Sequence, residues 1–129
     1  MGSVDPARPL IAIVDDEESV RRALKRLIIS AGLDVVAFCA GREFLDALPW
    51  RRPSCIVLDL HMPGMSGFEV QSHLADAGHR IPVVVITGHD TPDSRARALA
   101  AGAAAYLQKP VQGALLLDAI STAIGSRES

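Results

Sequence analysis

The sequence predicts an α/β protein, a three-layer, doubly wound (βα)5 fold around a five-stranded parallel sheet. Three observations carry that prediction. Five short runs rich in Ile, Val and Leu do not alternate with polar residues, which is the pattern of strands buried on both faces. Segments with helical apolar spacing stand between and after these runs. The 129 residues match the roughly 100–150 residues of a typical single domain, so all ten elements are expected to share one domain.

The first run, Leu10 to Val14, leads into a segment where Val20, Leu24, Leu27 and Ile28 fall at i, i+4, i+7 and i+8. That is one face of a helix, which Gly32 can end in a left-handed conformation. The second run, Val35 to Phe38, precedes a short helix around Phe44, Leu45 and Leu48 that stops at Pro49. Ala40 and Gly41 offer this helix only a weak cap, so it is expected to be loosely held. After the third run, Cys55 to Leu58, Ser66 and Glu69 stand at capping-box spacing. The fourth run, Val83 to Ile86, is followed by Pro92 at a first-turn position and by Gly102 just past the helix end. The fifth, Ala104 to Leu107, precedes a helix carrying Leu115, Leu116, Ala119, Ile120, Ala123 and Ile124, expected to stop before Gly125. Residues 1–9 are taken as an N-terminal extension, 10–126 as the domain and 127–129 as a tail.

Composition removes several function classes. Thirteen Lys plus Arg against fifteen Asp plus Glu give a net charge of −2, and no basic run is present, so bulk attraction to nucleic acid or anionic membrane is not expected. Five scattered aromatics, Phe38, Phe44, Phe68, Trp50 and Tyr106, make no base-stacking platform. Cys39 and Cys55 lack metal-site spacing and are read as two buried apolar thiols. No apolar run approaches the roughly 18–20 residues of a membrane span, and the start lacks a signal peptide's basic flank and apolar stretch. A cytoplasmic protein is expected.

In open parallel sheets, ligands bind beyond the carboxyl ends of the strands. Here those ends are Asp15-Asp16, Cys39-Ala40, Asp59, Thr87 and Gln108-Lys109. Asp15, Asp16 and Asp59 would meet in one cleft, tolerable at neutral pH only with a cation or shared protons. Mg²⁺ is the natural cation, being hard and held by one or two carboxylates plus substrate phosphate. Taken alone, Asp15-Asp16-Glu17-Glu18 reads equally as an acidic helix start that favours the macrodipole. That explains Glu17 and Glu18, but not two aspartates directly at the end of a buried strand. Lys109, one of only two lysines, adds an ammonium ahead of Pro110, where a cis bond is accessible. Thr87 adds a hydroxyl donor, with Gly88 leaving room beside it. A metal, an ammonium and a hydroxyl around one carboxylate meet the needs of phosphoryl transfer, in which catalysis is mostly positioning and charge neutralisation. Asp59 is then the nucleophile, forming an acyl phosphate.

The segments Ile13-Val14-Asp15-Asp16-Glu17, Val57-Leu58-Asp59-Leu60-His61-Met62-Pro63-Gly64-Met65-Ser66-Gly67, Val85-Ile86-Thr87-Gly88-His89 and Tyr106-Leu107-Gln108-Lys109-Pro110 resemble the receiver domain of two-component response regulators, most closely the FixJ type. The likeness runs from about Leu10 to about Ser126. It implies a flavodoxin-like, CheY-like sheet of strand order 2-1-3-4-5, and a signalling phosphoacceptor rather than an enzyme with an external product. It also implies that Asp59 takes a phosphoryl group from a phosphohistidine on a sensor histidine kinase. Asp16, Asp59 and the His61 backbone carbonyl would ligate Mg²⁺, with Asp15 acting mainly through metal-bound water. Lys109 and Thr87 would contact phosphoryl oxygens. Thr87 and Tyr106 would form the switch, Tyr106 swinging inward as Thr87 moves; read without the resemblance, Tyr106 is an aromatic at a strand edge with its hydroxyl in water.

His61 and His89 lie two residues beyond Asp59 and Thr87, positions that tune phosphoryl lifetime in this family. That lifetime is expected to vary between about pH 5 and 8, where imidazole titrates. The face built from the fourth helix, fifth strand and fifth helix, with Arg95, Arg97 and Asp118, is a possible homodimer surface on phosphorylation. FixJ-type receivers usually precede a DNA-binding domain, and this chain stops soon after its fifth helix. The expected output is therefore transcription through such a domain, with no nucleic-acid or membrane contact by the receiver itself; a stand-alone relay or phosphate sink is the alternative. A Mg²⁺-dependent hydrolase with an Asp nucleophile fits less well, because its second acid falls where His61 stands. A flavodoxin-like electron carrier would want a phosphate loop where Asp15-Asp16-Glu17-Glu18 stands. A degenerate receiver used as a binding scaffold would not need the full acidic, Thr87 and Lys109 set.

Overall fold

The computed structural model describes residues 8–128, so most of the 1–9 extension and Ser129 of the tail lie outside the described residues. Strands β1 (Leu10–Val14), β2 (Asp34–Phe38), β3 (Cys55–Asp59), β4 (Val83–Thr87) and β5 (Ala105–Gln108) alternate with helices α1 (Glu18–Ser30), α2 (Gly41–Ala47), α3 (Gly67–Asp76), α4 (Pro92–Ala100) and α5 (Gly113–Glu128). All strands are parallel, in the order β2-β1-β3-β4-β5. The chain moves from β1 outward to β2 and then reverses to place β3 on the other side of β1, which puts the switch point between β1 and β3.

The apolar runs do not alternate because alternate side chains enter two different cores. Ala12, Val14, Ile56, Leu58 and Val85 point to one face, where they meet Phe44 of α2, Val70 and Leu74 of α3 and Ala98 of α4. Ile11, Ile13, Val57, Val84 and Ile86 point to the other, against Leu24 and Ile28 of α1 and Leu116 and Ile120 of α5. The edge strands β2 and β5 are the most open to solvent, while β3 and β4 are buried throughout.

Helix ends follow the local chemistry at most positions. Ser66 and Glu69 complete the reciprocal capping box of α3, with bonds of 3.2 Å in each direction. Thr91 Oγ1 accepts from the Ser94 N–H at the start of α4, ahead of Pro92 in its first turn. Gly32 and Gly102 have φ of 86° and 98° just beyond α1 and α4, a conformation that glycine adopts without steric cost. Gly125 behaves differently: α5 runs through it to Glu128, since one glycine costs a helix only about 1 kcal/mol and Ile120, Ala123 and Ile124 hold the preceding turns against the core.

Two further expectations need correction. Helix α2 has no side-chain cap, as its sequence implied, but it is not loosely seated. Phe44 is 1% exposed and meets Phe38 edge-on at 5.5 Å. Gly41 packs so closely that a Cβ there would lie 2.6 Å from Val70 Cγ2. The second correction concerns the thiols. Cys55 is buried and inert, its pKa pushed up to about 12 by burial, whereas Cys39 is exposed. It stands on the first residue after β2, where the chain has left the core, with Sγ 3.9 Å from a Glu43 carboxylate oxygen.

Candidate functional site

Register builds the site. Val14 lies opposite Leu58, Asp59 opposite Ile86, and Thr87 opposite Gln108. Asp15, Asp59, Thr87 and Lys109 therefore step across four adjacent strand ends, with neighbouring strands about 4.8 Å apart. Three of the strands run one residue further than the apolar runs indicated, so Asp59, Thr87 and Gln108 are themselves the last strand residues.

Oxygen atoms of Asp15, Asp16 and Asp59 all lie within 4.8 Å of one another. Asp15 is fully buried and Asp59 is 2% exposed, while Asp16 opens to solvent. Lys109 reaches into this cluster, its Nζ 2.9 Å from Asp15 Oδ2 and 3.6 Å from Asp59 Oδ2. The bond between Lys109 and Pro110 is cis, and the Lys109 N–H donates to the Thr87 carbonyl at 2.7 Å. Backbone amides fix the acids as well: the Glu17 N–H donates to Asp15 Oδ1 at 2.9 Å and the His61 N–H to Asp59 Oδ1 at 3.4 Å. The buried Asp15 Oδ2 accepts no hydrogen bond of good geometry, so the ion pair with Lys109 is its compensation.

The electrostatics follow from this crowding. Burial, and then the neighbouring Asp15 charge, raise the Asp59 pKa from 3.8 to about 7, against the opposing pull of Lys109 and the His61 N–H. Burial is also the largest single influence on Lys109 and acts to lower its pKa, but the Asp15, Glu17 and Asp59 carboxylates outweigh it and the net shift is upward. Such a cluster holds an excess of negative charge in a low-dielectric cleft, and a hard divalent cation is what oxygen ligands of this kind accept. Among the described residues it is the one group of three or more potential metal ligands, so the donor set fits Mg²⁺.

Other site residues stand around the mouth. Thr87 is fully buried, and its Oγ1 accepts from the His89 N–H at 3.0 Å. His61 and His89, each two residues beyond a site residue in sequence, bring their rings into edge contact at 5.4 Å. Tyr106 is 8% exposed, with its hydroxyl buried rather than in water. Burial, followed by the nearby Asp90 carboxylate, raises its pKa, and the Arg95 guanidinium lies 5.3 Å from its ring centroid.

Three contributors escaped the sequence reading. Glu17 Oε1 contacts Lys109 Nζ at 3.0 Å. Arg21 donates to the Asp15 carbonyl at 2.7 Å. Gly67 starts α3 so close to β3 that a Cβ would press on the Asp59 carbonyl. Only Gly67 had a sequence signal, a glycine directly after the capping serine. An apolar groove lined by Leu74, Ile81, Leu107 and Leu115 opens away from this chemistry.

The response regulator receiver domain family matches residues 11–121. The chain belongs to that family. Receivers are signalling components of two-component systems rather than classical enzymes. Nodulation protein W of Bradyrhizobium diazoefficiens is 40% identical over 116 residues, covering 90% of this chain and 51% of that protein. Transcriptional regulatory protein FixJ of Azorhizobium caulinodans is 37% identical over 116 residues, covering 89% and 54%. The chain thus spans about half the length of these relatives. Among solved structures, a response regulator receiver protein from Burkholderia phymatum superposes with a TM-score of 0.82 at 45% identity, covering 92% of this chain and 96% of that one. The structure named FixJ-N gives a TM-score of 0.84 at 36% identity, covering 91% and 94%. The strand order and the five flanking helices are those of the CheY-like, flavodoxin-type fold, and no helix among the described residues is long and apolar enough to cross a membrane.

Proposed function

We propose that this receiver is a Mg²⁺-dependent phosphoacceptor, in which Asp59 takes a phosphoryl group from a phosphohistidine of a sensor histidine kinase. The single observation that carries the reading is the placement of Asp59: a nearly buried carboxylate, 3.6 Å from the Lys109 ammonium and sharing a cleft with Asp15 and Asp16. An Asp59 carboxylate oxygen attacks phosphorus, the O–P bond forms, the P–N bond breaks, and the imidazole nitrogen leaves with the electron pair. Lys109 neutralises a phosphoryl oxygen, since its ammonium already stands between Asp15 and Asp59. The Thr87 hydroxyl, one strand over, donates to a second oxygen. Asp15, Asp16, Asp59 and the His61 carbonyl would hold Mg²⁺, which supplies charge neutralisation and keeps Asp59 ionised at neutral pH.

Thr87 and Tyr106 carry the switch in this reading. Tyr106 is already enclosed, so the change on phosphorylation is a shift in the population of an inward state rather than its creation. The surface of α4, β5 and α5 then meets a second copy or an output domain that acts on transcription; Leu99 and Leu115 are exposed there. His61 and His89, in edge contact at the mouth, govern access of water to the acyl phosphate.

Incubation with Mg²⁺ and phosphoramidate followed by intact-mass measurement tests the core of the reading. One added phosphoryl mass is expected, lost in Asp59→Ala and absent when a chelator replaces Mg²⁺. An adduct that survives Asp59→Ala would count against it.

A further inference from the structure

Lys109 has a third carboxylate partner that the phosphoacceptor chemistry does not use. Its Nζ lies 2.9 Å from Asp15 Oδ2, 3.0 Å from Glu17 Oε1 and 3.6 Å from Asp59 Oδ2. The contact with Glu17 is a hydrogen bond of good geometry, whereas those with Asp15 and Asp59 are ion pairs without one. Glu17 occupies the N-cap position of α1, yet its side chain makes no capping bond and reaches across the site to a residue 92 positions away. Favouring the helix dipole, the role its position alone indicated, does not account for that direction.

We propose that Glu17 is a positioning residue that latches Lys109 in the unphosphorylated receiver and must release it for phosphoryl transfer. The proposal rests on the phosphoacceptor reading of the site and deepens it. A phosphoryl oxygen arriving at Asp59 must draw the Lys109 ammonium toward itself, so one of the three existing contacts must lengthen. Asp15 cannot, because its Oδ2 is buried and has no other partner, and an unpaired buried carboxylate is costly. Asp59 is the attacking group. Glu17 has a side chain 56% exposed, and water replaces the ammonium there with little loss. The latch therefore opens at Glu17, and holding it closed slows the transfer.

The test uses phosphoramidate as donor with saturating Mg²⁺ and follows intact mass with time. In each turnover Asp59 forms the O–P bond, the P–N bond breaks, and the already protonated nitrogen leaves as ammonia. Glu17→Gln keeps the shape of the side chain and removes its charge. Because an exposed ion pair is worth up to about 1 kcal/mol, the rate should rise about two- to fivefold. In a Lys109→Ala background the same substitution should give no gain, a coupling that a merely structural role for Glu17 would not produce. The thermal midpoint of Glu17→Gln should match the parent's, as the side chain is exposed. A phosphorylated parent with an unchanged Glu17→Gln rate overturns the latch alone, and so does a gain that persists without Lys109, which would mean simple repulsion of the donor. A parent chain that gains no mass overturns the phosphoacceptor reading itself, and the latch with it.

Discussion

Replacing Asp59 by Asn should stabilise this receiver in metal-free buffer, and the size of the gain should depend on pH in a defined way. Burial and the Asp15 charge raise the Asp59 pKa from 3.8 to about 7, so the folded state favours the protonated carboxyl more than the unfolded chain does. The sign follows by linkage: between pH 4 and 7 the native state binds more protons than the unfolded state, and stability falls as pH rises through that window. Each pKa unit is worth about 1.4 kcal/mol, so the full cost of ionising Asp59 in the fold approaches about 4 kcal/mol above pH 7. Asn carries no charge and escapes this cost, although it loses part of the attraction to Lys109. Urea unfolding in the presence of a chelator, at pH 5, 6, 7 and 8, measures the difference directly. The advantage of Asp59→Asn should widen by about 2 kcal/mol between pH 5 and 7 and then level off. Adding Mg²⁺ should narrow it, because an ion at 100 times its Kd stabilises the parent by about 2.7 kcal/mol. A gap that is flat with pH, or an Asn variant less stable than the parent at pH 8, refutes the account of a strained acidic cluster.

Two further substitutions probe the frame of the site. Gly67→Ala would set a Cβ against the Asp59 carbonyl and 2.7 Å from Leu60 Cα, backbone atoms that cannot swing aside; a loss of about 3 kcal/mol is expected, seen as a lower urea midpoint together with weaker Mg²⁺ binding as β3 and α3 separate. Tyr106→Phe removes a buried hydroxyl that has no hydrogen-bond partner of good geometry, so stability measured by thermal unfolding should be unchanged or higher by up to about 1 kcal/mol.

The residues of the site were legible because a parallel sheet turns chain position into spatial position. Once Leu10–Val14, Cys55–Asp59, Val83–Thr87 and Ala105–Gln108 are parallel strands in register, Asp15, Asp59, Thr87 and Lys109 must gather at one edge. Backbone signals were equally readable where one residue decides them, as at Ser66, Gly32 and Gly102. Outcomes that depend on the direction of a side chain were not. Nothing in the order of residues distinguishes a Glu17 that points to solvent from one that reaches Lys109. Nor does it tell that Cys39, one residue beyond a buried phenylalanine, has already left the core. The seating of α2 was misjudged for a related reason: its cap is poor, but tertiary packing of Phe44 overrides local propensity.

The same arrangement makes the cluster unfavourable for folding and suitable for a switch. An uncharged residue at position 59 would not oppose Asp15, whereas the aspartate there is raised to a pKa of about 7 by its surroundings. A group in that condition responds strongly to any positive charge brought within a few ångströms, and to the loss of its own charge. Lys109 alone does not discharge the cluster, since its single positive charge is divided among three carboxylates. An acyl phosphate at Asp59 would redraw that division, and Thr87 lies on the adjacent strand end with Tyr106 one strand further on. In the proposed mechanism the route from charge to shape would have few steps: Lys109 leaves Glu17, the Thr87 hydroxyl donates to a phosphoryl oxygen, and the space beside Tyr106 changes. The two contacts at stake are 3.0 Å from Lys109 to Glu17 and 3.0 Å from the His89 N–H to Thr87 Oγ1. Substitutions at Glu17 and Thr87 should therefore separate the speed of phosphorylation from the extent of the conformational response.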